Sequence, residues 1–274
     1  PVPIRKGTNE FYFLCSRGYL SAKLVPVRAD ALRPGAMMDP SSHLAPELVA
    51  GVAGQRALGS MPVINLSDRE KTVRLRVGDG APTDTRVAAM SMRRCNYVVE
   101  CAAAPALGNH EASLQLEVLP DEKTAPINAG THDLSLKVAA PNERRRVTFR
   151  SRIDGSVQYY SLVPAQPLPG QTEKPGILLG LHGASVHASG HAAAYSPTSW
   201  CHIVCPTNRS PYGFDWEDWG RLDALEVLEH AQASLDHDPL KIYLSGHSMG
   251  GHGTWTIGAH FPDKFAALGP CAGW

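Results

Sequence analysis

The string Gly246-His247-Ser248-Met249-Gly250-Gly251 constrains the fold more than any other part of the chain. Lys241-Ile242-Tyr243-Leu244 before it reads as a strand, and Thr254-Trp255-Thr256-Ile257-Gly258-Ala259 after it reads as a helix. The backbone must therefore pass from strand to helix within a few residues. Gly246 and Gly250 lack side chains because a Cβ at either place would collide across so tight a turn. A Gly-x-Ser-x-Gly string alone is a weak signal, and the flanking strand and helix give it weight. In this setting Ser248 takes a strained backbone conformation, and the helix that begins beneath it presents its first amides to developing negative charge.

The surrounding sequence fits such a turn. From about residue 146 onward, strands alternate with helices. Arg146 to Arg150 and Val157 to Val163 read as strands joined at Asp154-Gly155. Gly176 to Leu181 is a continuous apolar run, as expected of a strand buried on both faces. His202 to Val204 and Ile242 to Leu244 are two more, and Phe265 to Leu268 starts another. Leu222, Leu225, Leu228 and Gln232, with Ala224 and Ala231, recur at helical spacing and predict a helix over Trp219 to Leu235. A second helix runs from Ser248 to about His260, stopped by Pro262. Repeated β-α-β with buried strands implies a mostly parallel sheet with helices on both faces.

Upstream, short β-type runs alternate with turn signals: Met61 to Leu66, Thr72 to Val77, Asn96 to Cys101, Ser113 to Leu119 and Leu134 to Val138. Gly78-Asp79-Gly80 and Pro120-Asp121-Glu122 punctuate them. This predicts an all-β, sandwich-like module over residues 60–140, before an α/β domain over 141–274. Residues 1–59 form a less legible N-terminal segment, in which Phe11 to Val27 adds strands and Ala45 to Leu58 forms a broken helix.

Composition excludes several classes. The 26 basic residues equal the 26 acidic ones, which gives no electrostatic reason for a nucleic-acid partner. Arg144-Arg145-Arg146 reads as a solvated linker. No stretch approaches the roughly 18 apolar residues of a membrane span. Cys201 and Cys205 lie four apart on a strand, about 13 Å along it, too far for a bridge or a shared zinc. Buried free thiols are expected. His187 and His191 also lie four apart, but Ala188-Ser189-Gly190 between them reads as non-helical and no Glu accompanies them, so no metal is expected. The chain opens at Pro1, so its first residues say little about targeting; a secreted or periplasmic placement is preferred to a cytoplasmic one.

A second signal agrees with the first. Gly180-Leu181-His182-Gly183-Ala184 follows the buried strand at 176–181, where a loop amide can meet charge that develops beside Ser248. Met249 N–H and Ala184 N–H, or its neighbour Gly183, are the candidate donors, and His182 positions the loop. The loop Pro206 to Gly220 carries Tyr212, Phe214, Trp216 and Trp219. Tyr212 and Phe214 are candidate pocket residues, whereas Trp216 and Trp219 are expected to pack beneath the loop.

The stretch Ile177 to Trp274 resembles the prolyl-oligopeptidase-like branch of the α/β hydrolases, which mixes peptidases with carboxylesterases. The matching pieces are Asp154-Gly155-Ser156-Val157-Gln158-Tyr159-Tyr160, Leu181-His182-Gly183, Pro206-Thr207-Asn208-Arg209, Tyr243 to Gly251 and Phe261-Pro262-Asp263-Lys264-Phe265. The resemblance implies an α/β-hydrolase-type sheet, incomplete at its C-terminus. It also implies Ser248 as nucleophile, Met249 and Ala184 as oxyanion donors, a small ester or peptide substrate, and no cofactor. In that family the acid and the histidine come later in the chain. After Ser248 this sequence offers only Asp263, His252 and His260, all on or just after the helix leading away from the turn. The 274-residue chain is accordingly expected to be catalytically silent by itself. The rival from another class is a hydrolase-fold binding protein whose β module recognises a glycan or a protein.

Overall fold

The computed structural model describes residues 7–13, 22, 27, 29–120, 124–210 and 212–274. Cys15, Asp121-Glu122 of the expected turn and most of the Phe11 to Val27 expectation lie outside them. The described residues form two compact units. The first takes residues up to Leu44, Ser60–Val98 and Ala112–Leu134; the second takes Ala45–Gly59, Val99–Glu111 and Ser135–Trp274.

A short helix α1 (Ala29–Leu32) precedes eight strands: β1 (Ala36–Met38), β2 (Leu48–Val49), β3 (Gln55–Asn65), β4 (Lys71–Val77), β5 (Thr83–Val87), β6 (Met92–Cys101), β7 (Gly108–Leu119) and β8 (Ile127–Ala139). They form a three-stranded sheet in the order β1-β3-β6 and a five-stranded sheet in the order β2-β8-β7-β4-β5. In β7 the alternation is clean: Leu114, Leu116 and Val118 are buried and their neighbours are not. β5 was not expected, because Thr83-Asp84-Thr85-Arg86-Val87 carries only one apolar residue. It is fastened instead by a bidentate pair, Arg74 Nε and Nη2 donating to the two Asp84 carboxylate oxygens at 2.7 and 2.8 Å. The Ala45 to Leu58 helix is also corrected. Gly51 and Gly54 adopt positive φ, and the Gln55 side chain accepts from Val49 N and donates to Val49 O, closing a loop between β2 and β3.

The second unit holds a six-stranded mixed sheet in the order β14-β13-β11-β12-β10-β9. Its strands are β9 (Arg145–Arg150), β10 (Val157–Val163), β11 (Gly176–Leu181), β12 (Cys201–Cys205), β13 (Ile242–His247) and β14 (Ala267–Cys271). β12, β11, β13 and β14 run parallel, while β10 is antiparallel to both its neighbours. With helices α2 (Ala188–Ala193), α3 (Asp218–Ser234) and α4 (Met249–His260), this is an α/β fold. On one face Ile177, Leu179 and Leu181 of β11 join Ala224, Val227, Leu228 and Ala231 of α3 and Ile257 of α4 in one core. On the other, Leu178 packs against a smaller cluster of Ala188, Ala192, Cys201, Ile203 and Cys205. β11 is thus buried on both sides, as its unbroken apolar run requires.

Several expectations are corrected here. The last strand sits at Ala267–Cys271 rather than starting at Phe265. Leu222 faces solvent, and the buried side of α3 includes Asp223 and Glu226. Arg145 and Arg146 belong to β9 rather than to a linker: Arg146 donates to Ala45 O and lies over the Tyr159 ring. Cys95, Cys101, Cys201 and Cys205 are buried free thiols, but Cys271 is exposed. Residues 188–190 are helical after all, since Ala188 and Ala192 seat α2 on the sheet. Among the described residues no helix is long and apolar enough to cross a membrane.

Seating α2 also buries His191 against Tyr195, with their rings T-shaped at 5.3 Å. Burial pulls the imidazole down to about 4, with His182 and His247 adding repulsion. The unfolded chain, with an ordinary histidine pKa near ~6.5, then takes up the proton first. Stability from this site is complete above that pH and declines as pH falls toward 4. His191→Gln should therefore lose less stability than wild type between pH ~6.5 and ~4.5, measured as urea midpoints across a pH series. Parallel pH profiles would refute this.

Candidate active site

Ser248 sits between the end of β13 and the first residue of α4, with φ 57° and ψ −119°. A β-carbon residue rarely adopts such a conformation, and it persists only where neighbours force it. Here the neighbours are visible. A Cβ on Gly246 would fall 2.8 Å from Leu181 O, and one on Gly250 would fall 2.6 Å from the Leu181 carbonyl carbon and 3.0 Å from His182 O. Ser248 N donates to Cys271 O at 2.9 Å, and Ser248 O accepts from His252 N at 3.1 Å, so the turn is pinned to β14 and to its own helix.

The loop after β11 meets this turn. Leu181 pairs in register with Gly246, which carries residues 182–184 past Ser248. A Cβ on Gly183 would lie 3.5 Å from the Ser248 Cβ and 3.2 Å from His247 O. Ala184 is exposed in the turn that Val186 N closes on Gly183 O at 3.2 Å. Met249 is buried at the first position of α4, where a helical N–H has no partner within the helix. Ser248, Gly183, Ala184 and Met249 therefore belong to one rim of the sheet, at the C-terminal ends of β11 and β13.

His182 is fully buried behind that rim. Its Nδ1 faces Gly183 O at 2.9 Å and its Nε2 faces Thr207 O at 3.0 Å. Burial lowers its pKa against the pull of the two carbonyls, and in the neutral form one ring nitrogen donates to one carbonyl while the other only faces the second. Thr207 in turn donates through N and Oγ1 to Asp223, at 3.2 and 3.1 Å. Arg209 pairs with Asp223 at 3.1 Å, Asp154 at 3.2 Å and Glu226 at 3.5 Å. Burial pushes the Asp223 carboxyl up, opposed by Arg209 and the Thr207 donors. This network explains the buried acids of α3. Apolar spacing gave no sign of Asp223 or Glu226, although Thr207 and Arg209 stood within a recognised stretch.

No side chain among the described residues accepts a hydrogen bond from the Ser248 hydroxyl. His252, one turn along α4, points its Nε2 at Glu217 Oε1, 2.9 Å away, and stacks on Trp274. His247, expected to point into the sheet packing or its edge, is exposed. His260 Nδ1 donates to Thr256 O at 2.6 Å. The expected packing of the aromatic loop is half corrected. Trp216 is fully buried, whereas Trp219 is 42% exposed above Arg209. Tyr212 and Phe214 stand 57% and 42% exposed.

No protein-family model matches the chain. Over 141 residues, 44% of the chain, it is 32% identical to an uncharacterized secreted protein of Arthroderma benhamiae. Over 139 residues, 43% of the chain, it is 27% identical to poly(3-hydroxyalkanoate) depolymerase C of Paucimonas lemoignei. The matched segments span 15% and 32% of those proteins. Among solved structures, S-formylglutathione hydrolase of Staphylococcus aureus is similar over 48% of the chain and 59% of its own, at 20% identity and a TM-score of 0.41. The ferulic acid esterase of Anaeromyces mucronatus is similar over 48% and 59%, at 15% identity and a TM-score of 0.38.

The tight approach of the two backbones generates a direct test. Gly250→Ala should destabilise the protein by about 3 kcal/mol or more, because the carbonyl it meets is main chain and cannot rotate away. Gly78→Ala, at φ 50° with nothing within 4 Å of its Cβ, serves as the control for backbone strain alone. Equal losses for the two in urea unfolding would show that the close approach is not needed.

Proposed function

We propose that the second unit carries the nucleophile and oxyanion side of a serine hydrolase that cleaves a carboxylic ester through an acyl-enzyme on Ser248. The observation that carries this reading is the Ser248 backbone at φ 57°, ψ −119°, held at a strand-to-helix turn against the loop at 182–184. A non-glycine residue kept in that conformation, at the C-terminal rim of a parallel sheet, fits a nucleophile elbow. The likeness to a polyester depolymerase favours an ester over a peptide substrate. The likeness to a secreted protein agrees with a secreted placement.

In this mechanism the Ser248 hydroxyl attacks the carbonyl carbon, and the oxygen settles between Met249 N–H and Ala184 N–H, with Gly183 N–H the next candidate donor. The alcohol leaves, and water then releases the acid. Tyr212 and Phe214, exposed on the loop after β12, are proposed to line the acyl or alcohol pocket. No cofactor enters. Activation of Ser248 needs a proton acceptor, and no hydrogen bond joins the hydroxyl to a histidine among the described residues. We further propose that residues 60–140 act as a separate β module.

In the natural protein that carries this chain, Ser248→Ala should abolish hydrolysis of short p-nitrophenyl esters and labelling by a fluorophosphonate probe, with the fold intact by circular dichroism. Retained turnover would overturn the assignment. Absence of both activities in the wild type would favour a hydrolase-fold binding protein. For the oxyanion site, Ala184→Pro deletes one N–H and should lower turnover by ~10²–10³. Unchanged turnover would move the second donor to Gly183.

A further inference from the structure

We infer that Trp216 is the positioning residue of the oxyanion loop: its indole N–H holds the loop that follows β11 against α4. The inference rests on the reading of Ser248 as nucleophile and deepens it. Trp216 lies on the loop between β12 and α3, is fully buried, and makes a polar contact through its ring nitrogen. Its Nε1 donates to His182 O at 3.0 Å. That carbonyl belongs to the residue immediately before Gly183 and Ala184. The indole also meets the His182 ring edge-on, with centroids 4.9 Å apart.

The other side of the indole is fixed on the helix that begins beneath Ser248. A Cβ on Gly253 would fall 2.6 Å from Trp216 Cδ1 and 2.5 Å from its Cγ, so the first turns of α4 leave a slot that only glycine opens. One side chain thus touches both partners whose separation defines the site: His182, leading the donor loop, and α4, whose first N–H is the other donor. Trp216 itself has φ 63° and follows Asp215 at φ 51°. Two successive non-glycine residues in the left-handed region hold the ring in its slot at a conformational cost. A residue that served only to fill the core would need neither the indole N–H nor the strained backbone behind it.

The His182 ring gives the same loop a second anchor. Its two nitrogens face Gly183 O and Thr207 O, so the ring fixes the loop from the sheet side while Trp216 fixes it from the helix side. Loss of the indole N–H would leave His182 O without its donor and let residues 183–184 drift relative to Met249. An oxyanion donor misplaced by a fraction of an ångström weakens transition-state binding more than substrate binding.

The test compares two variants in the natural protein that carries this chain. Trp216→Phe keeps an aromatic ring in the slot and removes the N–H. Incorporation of β-(3-benzothienyl)alanine at 216 keeps the full indole shape and removes only the N–H, should the phenylalanine variant fail to fold. For ester hydrolysis, kcat should fall about tenfold with KM within about twofold, because the lost contact acts on the transition state. A boronic acid that forms a tetrahedral adduct on Ser248 should weaken by the same factor. Unchanged kcat and boronate affinity in a folded variant would overturn the inference and leave the nucleophile reading standing. A rise in KM alone would overturn it too, since it would mark a substrate contact rather than loop positioning. A wild-type protein without ester turnover and without fluorophosphonate labelling at Ser248 would overturn both.

Discussion

The Leu181 carbonyl and the Gly250 backbone lie too close for any side chain between them, and the geometry around Ser248 depends on that contact. Two strands in parallel register approach at the sheet spacing all along their length. At the rim, β13 turns into α4 and β11 turns into its loop, and these two exits need the same space. Gly246 and Gly250 let both pass. The register that follows, Leu181 opposite Gly246, sets Gly183 beside Ser248 without any side-chain interaction having to do so. The arrangement is fixed by main-chain volume, which neither relaxes nor changes rotamer.

Around this contact the protein links most of its buried polar groups into a network, although both polar atoms of the buried Asn208 side chain lack a hydrogen-bond partner among the described residues. His182 lies between two carbonyls and can donate to either, Trp216 donates to a third, and Thr207 reaches Asp223, which pairs with Arg209. A buried carboxylate such as Asp223 is tolerable only with charge-assisted partners, and removing one of them would strand it. Chains of this kind stiffen the loops they join, because several partners must move together for any one to leave. The strained backbone at Asn208, Arg209, Asp215 and Trp216 lies on the segment that this network and the apolar core hold from both ends.

How much of this was legible in the sequence follows from which signals are local. β11 was read to the residue because burial on both faces leaves an unbroken apolar run. The turn at Ser248 was read because steric exclusion demands glycine at fixed offsets. α2 was missed because its six residues are too short for periodicity to register, and its helical state depends on Ala188 and Ala192 meeting the sheet. β5 and the β2–β3 loop were missed for a related reason: an ion pair and a glutamine side chain define them, not hydrophobic pattern. The inward face of α3 was mistaken at Leu222 because Asp223 and Glu226 look like solvent residues until Thr207 and Arg209, far away in sequence, are seen to satisfy them. Trp216 was expected to pack, and it does, but nothing in a single aromatic letter announces that its ring nitrogen will find a carbonyl at the rim.

The same distinction separates the two halves of the proposed chemistry. Preorganised donors and a strained serine are properties of backbone geometry, and they stand whether or not the hydroxyl is activated. Activation requires an imidazole with a free nitrogen directed at Ser248 Oγ. His182 has both nitrogens facing carbonyls, His252 directs Nε2 to Glu217, and His191 shares its Nε2 with Tyr195. Recruiting any of these would require breaking contacts that hold the loops in place. His182 would release the loop at 183–184 itself, so a base drawn from it would dismantle the proposed oxyanion site. On the proposed reading of Ser248, His182, His191 and His252 therefore serve the scaffold, and using any of them as the base would cost the loops their anchors.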